Sequence, residues 1–321
     1  MSEQETQRQS SQQESAERSQ PELTYSLGAT PGTTYPFNAE DEAELTRLAH
    51  QDQLITAGMG GLLPEGLMLP KGGRVLDLAC GPGGWAIAVA AAFPTVEVVG
   101  VDLSARAVAW ATARARECGL NNVRFQTMNI MEALTFPDAT FDLINGRFMA
   151  SFMLPAAWPR LLAECLRLLK PGGTIRLTET EGPLTNSPAF EQLMALATQG
   201  LKKAGQSFSP DGRHGGMTPV LARLLRQAGF QDVRLRASAI EWSYGTPAHD
   251  SVFQDAIMTL ELGRSFYFRL GLASETELAR LYQQAIAEMQ QEDFCGLWTM
   301  LTAWGRKPAE PQSASSQAGA S

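Results

Sequence analysis

Apolar and polar positions along the chain change period several times, and each change marks an element. From Arg74 onward, short β-branched apolar runs alternate with segments of helical spacing, the signature of repeated β-α units on a parallel sheet. "RVLDLA" predicts a strand and the segment after Gly84 a helix. "VEVVGVDL", Val96 to Leu103, is the next strand, and Ser104 is placed to cap a helix running to Cys118. "VRFQTMNI" and "FDLINGRF" supply a third and a fourth strand. Pro155 to Leu169 has helical spacing and stops at Lys170-Pro171-Gly172-Gly173, a turn that cannot prolong a helix; "TIRLTET" follows as the fifth strand.

Beyond this point the alternation loosens. Phe190 to Ala204 is helical, "SPDGRHGGMTP" is a glycine-rich loop, and Thr218-Pro219 has the form of an N-cap and first-turn proline for a helix to Ala228. Two more strand-like segments, "DVRLRASAIEWSY" and "GLWTMLTAWGRK", are separated by a long helical pattern from Thr246 to Asp293. An insertion of that size between neighbouring strands is expected to cover the functional edge of the sheet.

Composition sets the limits of the folded part. The chain has 321 residues, 44% of them hydrophobic, ample for one large core. Residues 1–36, rich in Gln, Ser, Glu and Pro, carry too few large apolar side chains to offset the entropy of ordering, and 308–321 read the same way; both are predicted to be disordered. That leaves a domain over 37–307, with its core at about 74–181 and cap elements at 37–66, 182–220 and 246–293.

The net charge of −8, with no cluster of Lys and Arg, argues against a nucleic-acid partner. No signal-peptide pattern and no run of 18 apolar residues is present, so a cytoplasmic protein without a membrane partner is expected. Cys80, Cys118, Cys165 and Cys295 lie far apart without CxxC spacing, which predicts reduced thiols and no metal site.

The stretch "VLDLACGPGGWAIAVA" carries the chemistry. In a parallel α/β sheet ligands collect at the carboxyl ends of the strands, and Gly81-Pro82-Gly83-Gly84 follows the first strand of the repeat. Glycines there let backbone approach a ligand, and the next helix offers free N–H groups. Asp102 ends the second strand, where a carboxylate can accept from both hydroxyls of a ribose. Together these features predict an adenosine cofactor. Gly81, Gly83 and Ala86 also satisfy a loose dinucleotide fingerprint, so a nicotinamide-dependent oxidoreductase stays open. Asp77 discriminates: a carboxylate at that strand end repels a pyrophosphate but suits the ammonium of S-adenosylmethionine, which has no phosphate.

In order and spacing, "VLDLACGPGG", "VVGVDLS", "MNIMEALTFPDATFDLINGRF" and "LLKPGGTIRLTE" resemble the successive motifs of the class I S-adenosylmethionine-dependent methyltransferases, over about Arg74 to Glu181. The resemblance, to members acting on small molecules, implies a doubly wound Rossmann-like α/β fold. Its seven-stranded sheet would have order 3-2-1-4-5-7-6, the last strand antiparallel, with the two late strand-like segments as strands six and seven. It implies that Asp77, Ala79, Cys80, Gly81 and Gly83 seat the cofactor, with Asp77 toward its amino group. It puts Asp102 on the ribose, Leu103 against the adenine, and Asn129, with Ile130 beside it in the cofactor site, where the family usually has an aspartate near the adenine amino group. Ala79 stands where glycine is common. Asn145 to Phe148, Arg147 included, should line the methionine end. "DEAELTRLAHQDQLITAGMGGLLPEG" looks like an N-terminal helix that closes over the cofactor, with Arg47 and Gln53 reaching its carboxylate and Gly58 to Gly61 shaping the lid; an amphipathic helix on the sheet edge is the alternative.

Methyl transfer needs an aligned acceptor and excluded water, and a base only for an acceptor that keeps its proton. His214 in the glycine-rich loop and His50 on the N-terminal helix are candidate bases, whereas His249 reads as a surface residue. Glu179 and Glu181 alternate at the end of the fifth strand and should share a face. Trp242, Tyr244, Phe266, Tyr267 and Phe268 can form an aromatic wall or ordinary core. The expectation is metal-independent transfer to a small, partly apolar methyl acceptor; a non-catalytic cofactor-binding module of the same fold is the remaining alternative.

Overall fold

The computed structural model describes residues 34–309; the tails predicted to be disordered lie, but for 34–36 and 308–309, outside the described residues. A helix α1 (Glu42–Gly58) precedes the sheet repeat β1 (Arg74–Leu78), α2 (Gly84–Ala92), β2 (Glu97–Asp102), α3 (Ala105–Glu117), β3 (Val123–Thr127) and β4 (Phe141–Arg147). Two short 3₁₀ turns lead into α4 (Trp158–Leu168) and β5 (Leu169–Thr185). Then come α5 (Pro188–Lys203), α6 (Thr218–Gln227), β6 (Gln231–Glu241), α7 (His249–Arg269), α8 (Glu275–Met289) and β7 (Gly296–Arg306).

The strands form one sheet of order β3-β2-β1-β4-β5-β7-β6, with β1 to β5 parallel and β7 antiparallel to both its neighbours. This is the expected order. The alternation along β1 divides the layers: Leu76 and Leu78 join the core beneath α4 and α6, while Val75 packs with Trp85 and Val89 of α2 on the other face. Ser104 caps α3 as its position predicted, its hydroxyl accepting from Ala107 N at 3.0 Å.

A third apolar cluster lies beyond the strand ends, where α5, α7 and α8 pack with β7 and with Ile55 and Met59 of α1. The Thr246–Asp293 insertion is thus the expected helical cap. The Lys170–Gly173 stretch departs from expectation. It is absorbed into β5 instead of standing free as a turn, because Gly172 N and Gly173 O bond to Lys307 O and Lys307 N at 3.0 and 2.8 Å.

Candidate active site

The turn after β1 is held open by unusual backbone. Ala79, Gly81 and Gly83 all have positive φ, at 49°, 51° and 79°. A Cβ on Gly83 would stand 2.7 Å from the Ala111 methyl and 2.8 Å from the Phe125 ring, so only glycine lets the turn pack on α3 and β3. Gly83 therefore does not line the cavity; its part is to fix the turn. Ala79, which stands where glycine is common, pays the steric cost of a left-handed conformation, so the position is strained.

Asp102 ties this turn to the end of β2. Its Oδ2 accepts from Gly81 N at 2.8 Å and its Oδ1 from Ser104 N at 2.9 Å, which leaves one lone-pair direction on each oxygen for a ligand. Burial raises its carboxyl above the usual range against these two bonds. Leu103, half exposed, forms a shelf beside it, with Asn129 and Ile130 across the gap. The Asn129 carbonyl accepts from Met131 N at 3.0 Å, so its amide is held in a local turn. Together with Ala79, Cys80 and Gly81, these residues wall one end of a cavity of about 650 Å³.

Beneath the turn runs a buried polar row across three strands. Asp77, Asn145 and Arg176 are register partners on β1, β4 and β5, so their side chains leave the same face of the sheet. Asn145 Nδ2 donates to Asp77 Oδ1 at 2.7 Å, and Arg176 Nη1 donates to Asn145 Oδ1 at 2.6 Å. Arg176 also lies over the Trp85 ring, 5.7 Å from its centroid. Desolvation pushes Asp77 up to about 7, although Asn145 and the charge of Arg176 oppose the shift. Asp77 reaches the cavity; Asn145 stands behind it, fully buried, and positions the carboxylate instead of lining the methionine end.

Toward the cap the wall becomes acidic and then apolar. Glu179 is buried, with Oε1 accepting from Met149 N at 2.9 Å and Ala150 N at 3.3 Å. Burial pushes this carboxyl up to about 8. Glu181 accepts from Gly216 N and Thr218 N, both at 2.8 Å, and from the Thr218 hydroxyl at 2.6 Å. It supplies the cap of α6 that Thr218, itself the first residue of the helix, does not. Both glutamates face the cavity, as their alternation predicted.

Several expectations are corrected. Arg47 is spent on a buried network: Nε donates to Glu44 at 2.8 Å and Nη1 to Asp255 of α7 at 2.9 Å, with Gln51 also donating to Asp255. Gln53 and His50 lie on the exposed side of α1, because the helical period turns Leu48, Gln51, Asp52 and Ile55 inward instead. Arg147 does face the cavity, paired there with Asp52 of α1. His214 is exposed, 3.7 Å from Glu181, and only its neighbour Gly215 reaches the wall.

His249 is buried, not a surface residue, with Nδ1 at 3.1 Å from Trp242 O. Of the aromatic set, Phe266 and Tyr267 line the cavity, Trp242 is core, and Tyr244 and Phe268 face outward. Phe148 lines the cavity as expected, whereas sequence reasoning missed Arg176, Asp52 and Trp298, whose ring stacks with that of Phe148 at a centroid separation of 6.2 Å. Among the described residues no three His, Cys, Asp or Glu side chains converge as metal ligands, and no helix is long and apolar enough to cross a membrane.

Comparison with known proteins bears on this geometry. A family described as "Methyltransferase domain" matches residues 75–173. The demethylmenaquinone methyltransferase of Geobacillus kaustophilus is 33% identical over 178 residues, 52% of this chain and 74% of that protein. Methyltransferase pytC of Aspergillus terreus is 28% identical over 208 residues, 62% of this chain. The chain spans 58% of the length of that relative. Among solved structures, the YcgJ protein of Bacillus subtilis superposes with a TM-score of 0.50 at 19% identity, covering 78% of this chain and 98% of that one, a likeness of fold.

Proposed function

Because the chain belongs to the S-adenosylmethionine-dependent methyltransferases, we propose that it carries a methyl group to a small, largely apolar acceptor held under the cap. One observation supports this reading above the others: a single cavity runs from the Asp77, Gly81 and Asp102 wall to an apolar chamber beneath α5 and α7. The residues present fit the cofactor. Asp77 is a desolvated carboxylate without a cationic hydrogen-bond partner, its bond being to the neutral amide of Asn145, which suits an ammonium. Asp102 keeps acceptor capacity for a diol, and Leu103 offers an apolar shelf. The same Asp77 disfavours a pyrophosphate and with it the nicotinamide reading.

When bound, S-adenosylmethionine supplies a methyl group already activated on a sulfonium. The chain then has three tasks: to hold the acceptor in line, to keep water out and, for an acceptor with an O–H or N–H, to take the proton. The cap performs the first two. Glu179 is the group suited to the third, since burial holds its pKa near working pH and its Oε2 makes only a 3.3 Å backbone contact. A relative acts on demethylmenaquinone by its name, and an apolar acceptor of comparable kind suits this chamber.

The test has two parts. Calorimetry should give binding of S-adenosylmethionine and none of NAD, with Asp102→Ala weakening the former. Incubation of a metabolite extract with methyl-labelled cofactor should yield a labelled apolar product by mass spectrometry. Affinity for NAD alone, or no transfer to any component, would overturn the proposal.

A further inference from the structure

Arg176 is a buried cation that no carboxylate meets among the described residues. It is 1% exposed on β5, its Nε has no hydrogen-bond partner, and its Nη2 lies 3.9 Å from the Met59 sulfur. Arg47 and Arg147, by contrast, are each paired directly with a carboxylate. A desolvated guanidinium with one strong hydrogen bond is costly as a piece of core, and an apolar side chain of similar size would fill the place at less cost. The fold nevertheless holds it firmly. It lies over the Trp85 ring, which is itself fixed by Nε1 donating to Leu62 O at 3.0 Å.

The one strong bond decides what the cation does. A guanidinium only donates, so the oxygen of the Asn145 amide must face Arg176, and it does so at 2.6 Å. The Nδ2 end is thereby turned to Asp77 and donates to Oδ1 at 2.7 Å. Without the cation the amide is free to turn over. With its oxygen toward Asp77 it pairs best with the protonated acid, which has no charge to offer an ammonium. The interposed amide also insulates. A direct bond from Arg176 would take up a carboxylate oxygen, whereas the row leaves Asp77 Oδ2 without a partner among the described residues, on a side chain that reaches the cavity.

The other charges near Asp77 do not keep it ionised. Asp102 at the end of β2 opposes ionisation, as burial does, and the Cys80 thiol of the turn is kept neutral by its own burial. Arg147, two residues beyond Asn145 on β4, is answered by Asp52 of α1, and α2 brings only the neutral Trp85. Arg176 is the cation that acts in favour of the carboxylate.

We propose that Arg176 is a positioning residue for the cofactor: through Asn145 it holds Asp77 as an ionised carboxylate with one oxygen open to the ammonium. This rests on the methyl-transfer reading of the same cavity and adds to it a residue that touches neither cofactor nor acceptor.

Affinity of the full chain for S-adenosylhomocysteine, which carries the same ammonium, is measured by calorimetry at pH 6, 7.5 and 9 for wild type, Arg176→Met and Arg176→Lys. Loss of Arg176 should move the midpoint of Asp77 up by about one pH unit, the equivalent of one weakened hydrogen bond to a charged group. Arg176→Met should then bind about ninefold more weakly than wild type at pH 6, about threefold at pH 7.5 and about equally at pH 9. Arg176→Lys keeps a cation and a donor and should recover most of the loss at pH 6. Wild type gives a readout that needs no change at Arg176. In protein labelled at asparagine, the Asn145 Nδ2 resonances should titrate with Asp77, at about 7, and lose that response in Asp77→Asn. A penalty in Arg176→Met that is the same at all three pH values, no recovery by lysine, or an Asn145 amide without that titration would overturn the inference. Failure of wild type to bind S-adenosylhomocysteine would instead remove the methyl-transfer reading, and the role of Arg176 with it.

Discussion

Asp77→Asn isolates the charge at the centre of the proposed cofactor seat. The amide keeps an acceptor for Asn145 Nδ2, now at 2.7 Å from the carboxylate, so the polar row need not be rebuilt. What is lost is the bond between carboxylate and ammonium, worth about 1.5–3 kcal/mol, and the dissociation constant for S-adenosylmethionine should rise about 10- to 150-fold. The pH dependence is a sharper readout. In the free protein Asp77 titrates near 7, and an α-amino group near 7.8. Binding needs the first ionised and the second protonated, so affinity is lost as pH falls through 7 and again as it rises through 8. Between pH 7.5 and 6 the ionised fraction of Asp77 drops about eightfold while the ammonium fraction rises by about half, a net loss near sixfold or about 1 kcal/mol. Calorimetry at the two values measures it directly. Asp77→Asn should abolish this acid-side loss and leave the alkaline one. A wild-type affinity that is flat from pH 6 to 7.5, or an acid-side loss that persists in the variant, would refute the assignment.

Three further outcomes follow from the same geometry. Ala79→Gly relieves a left-handed alanine and should stabilise the protein by about 0.5–1 kcal/mol, seen as a melting temperature higher by a few degrees; no gain would mean the strain is absent. Glu179 has its folded pKa raised from 4.5 to about 8, so its contribution is fully present below pH 4.5 and is lost as pH rises through 8, at about 1.4 kcal/mol per unit between. Denaturant titrations of Glu179→Gln at pH 5 and 8 should show a smaller fall than wild type by several kcal/mol, and parallel behaviour would place the proton elsewhere. Arg47→Met leaves Glu44 and Asp255 buried without their cation and should cost about 3–5 kcal/mol in urea, whereas a loss below 1 kcal/mol would show that the α1–α7 network is not stabilising.

The fold was legible in the sequence because its signals are local and repeated: a β-branched run, a glycine turn and a capped helix, several times over. The glycine turn and Asp102 were legible for the same reason, since the end of a strand and the start of a helix lie within a few residues of each other. What stayed hidden depends on sheet register, which places residues far apart in sequence on one row. Arg176 shows how part of this was recoverable. It sits inside "TIRLTET", a strand that must be buried on both faces, and a buried guanidinium demands acceptors. Asp77 and Asn145 are polar residues in equally apolar strands, and the parallel order 1-4-5 makes one row of the three a short step.

The errors on α1 have a different source. Arg47 and Gln53 were placed by motif position, whereas which side of the helix meets the cavity is fixed by Leu45 and Ile55, and that period turns Gln51 and Asp52 inward and Gln53 outward. Arg47 also faces inward, but its partner Asp255 lies 208 residues away on the cap. No local signal carries that pairing. A charged residue on the apolar side of a lid helix is therefore evenly poised, on sequence, between holding a ligand and holding the lid; the partner that decides it comes from the insertion, which is the part of the chain whose pattern repeats least.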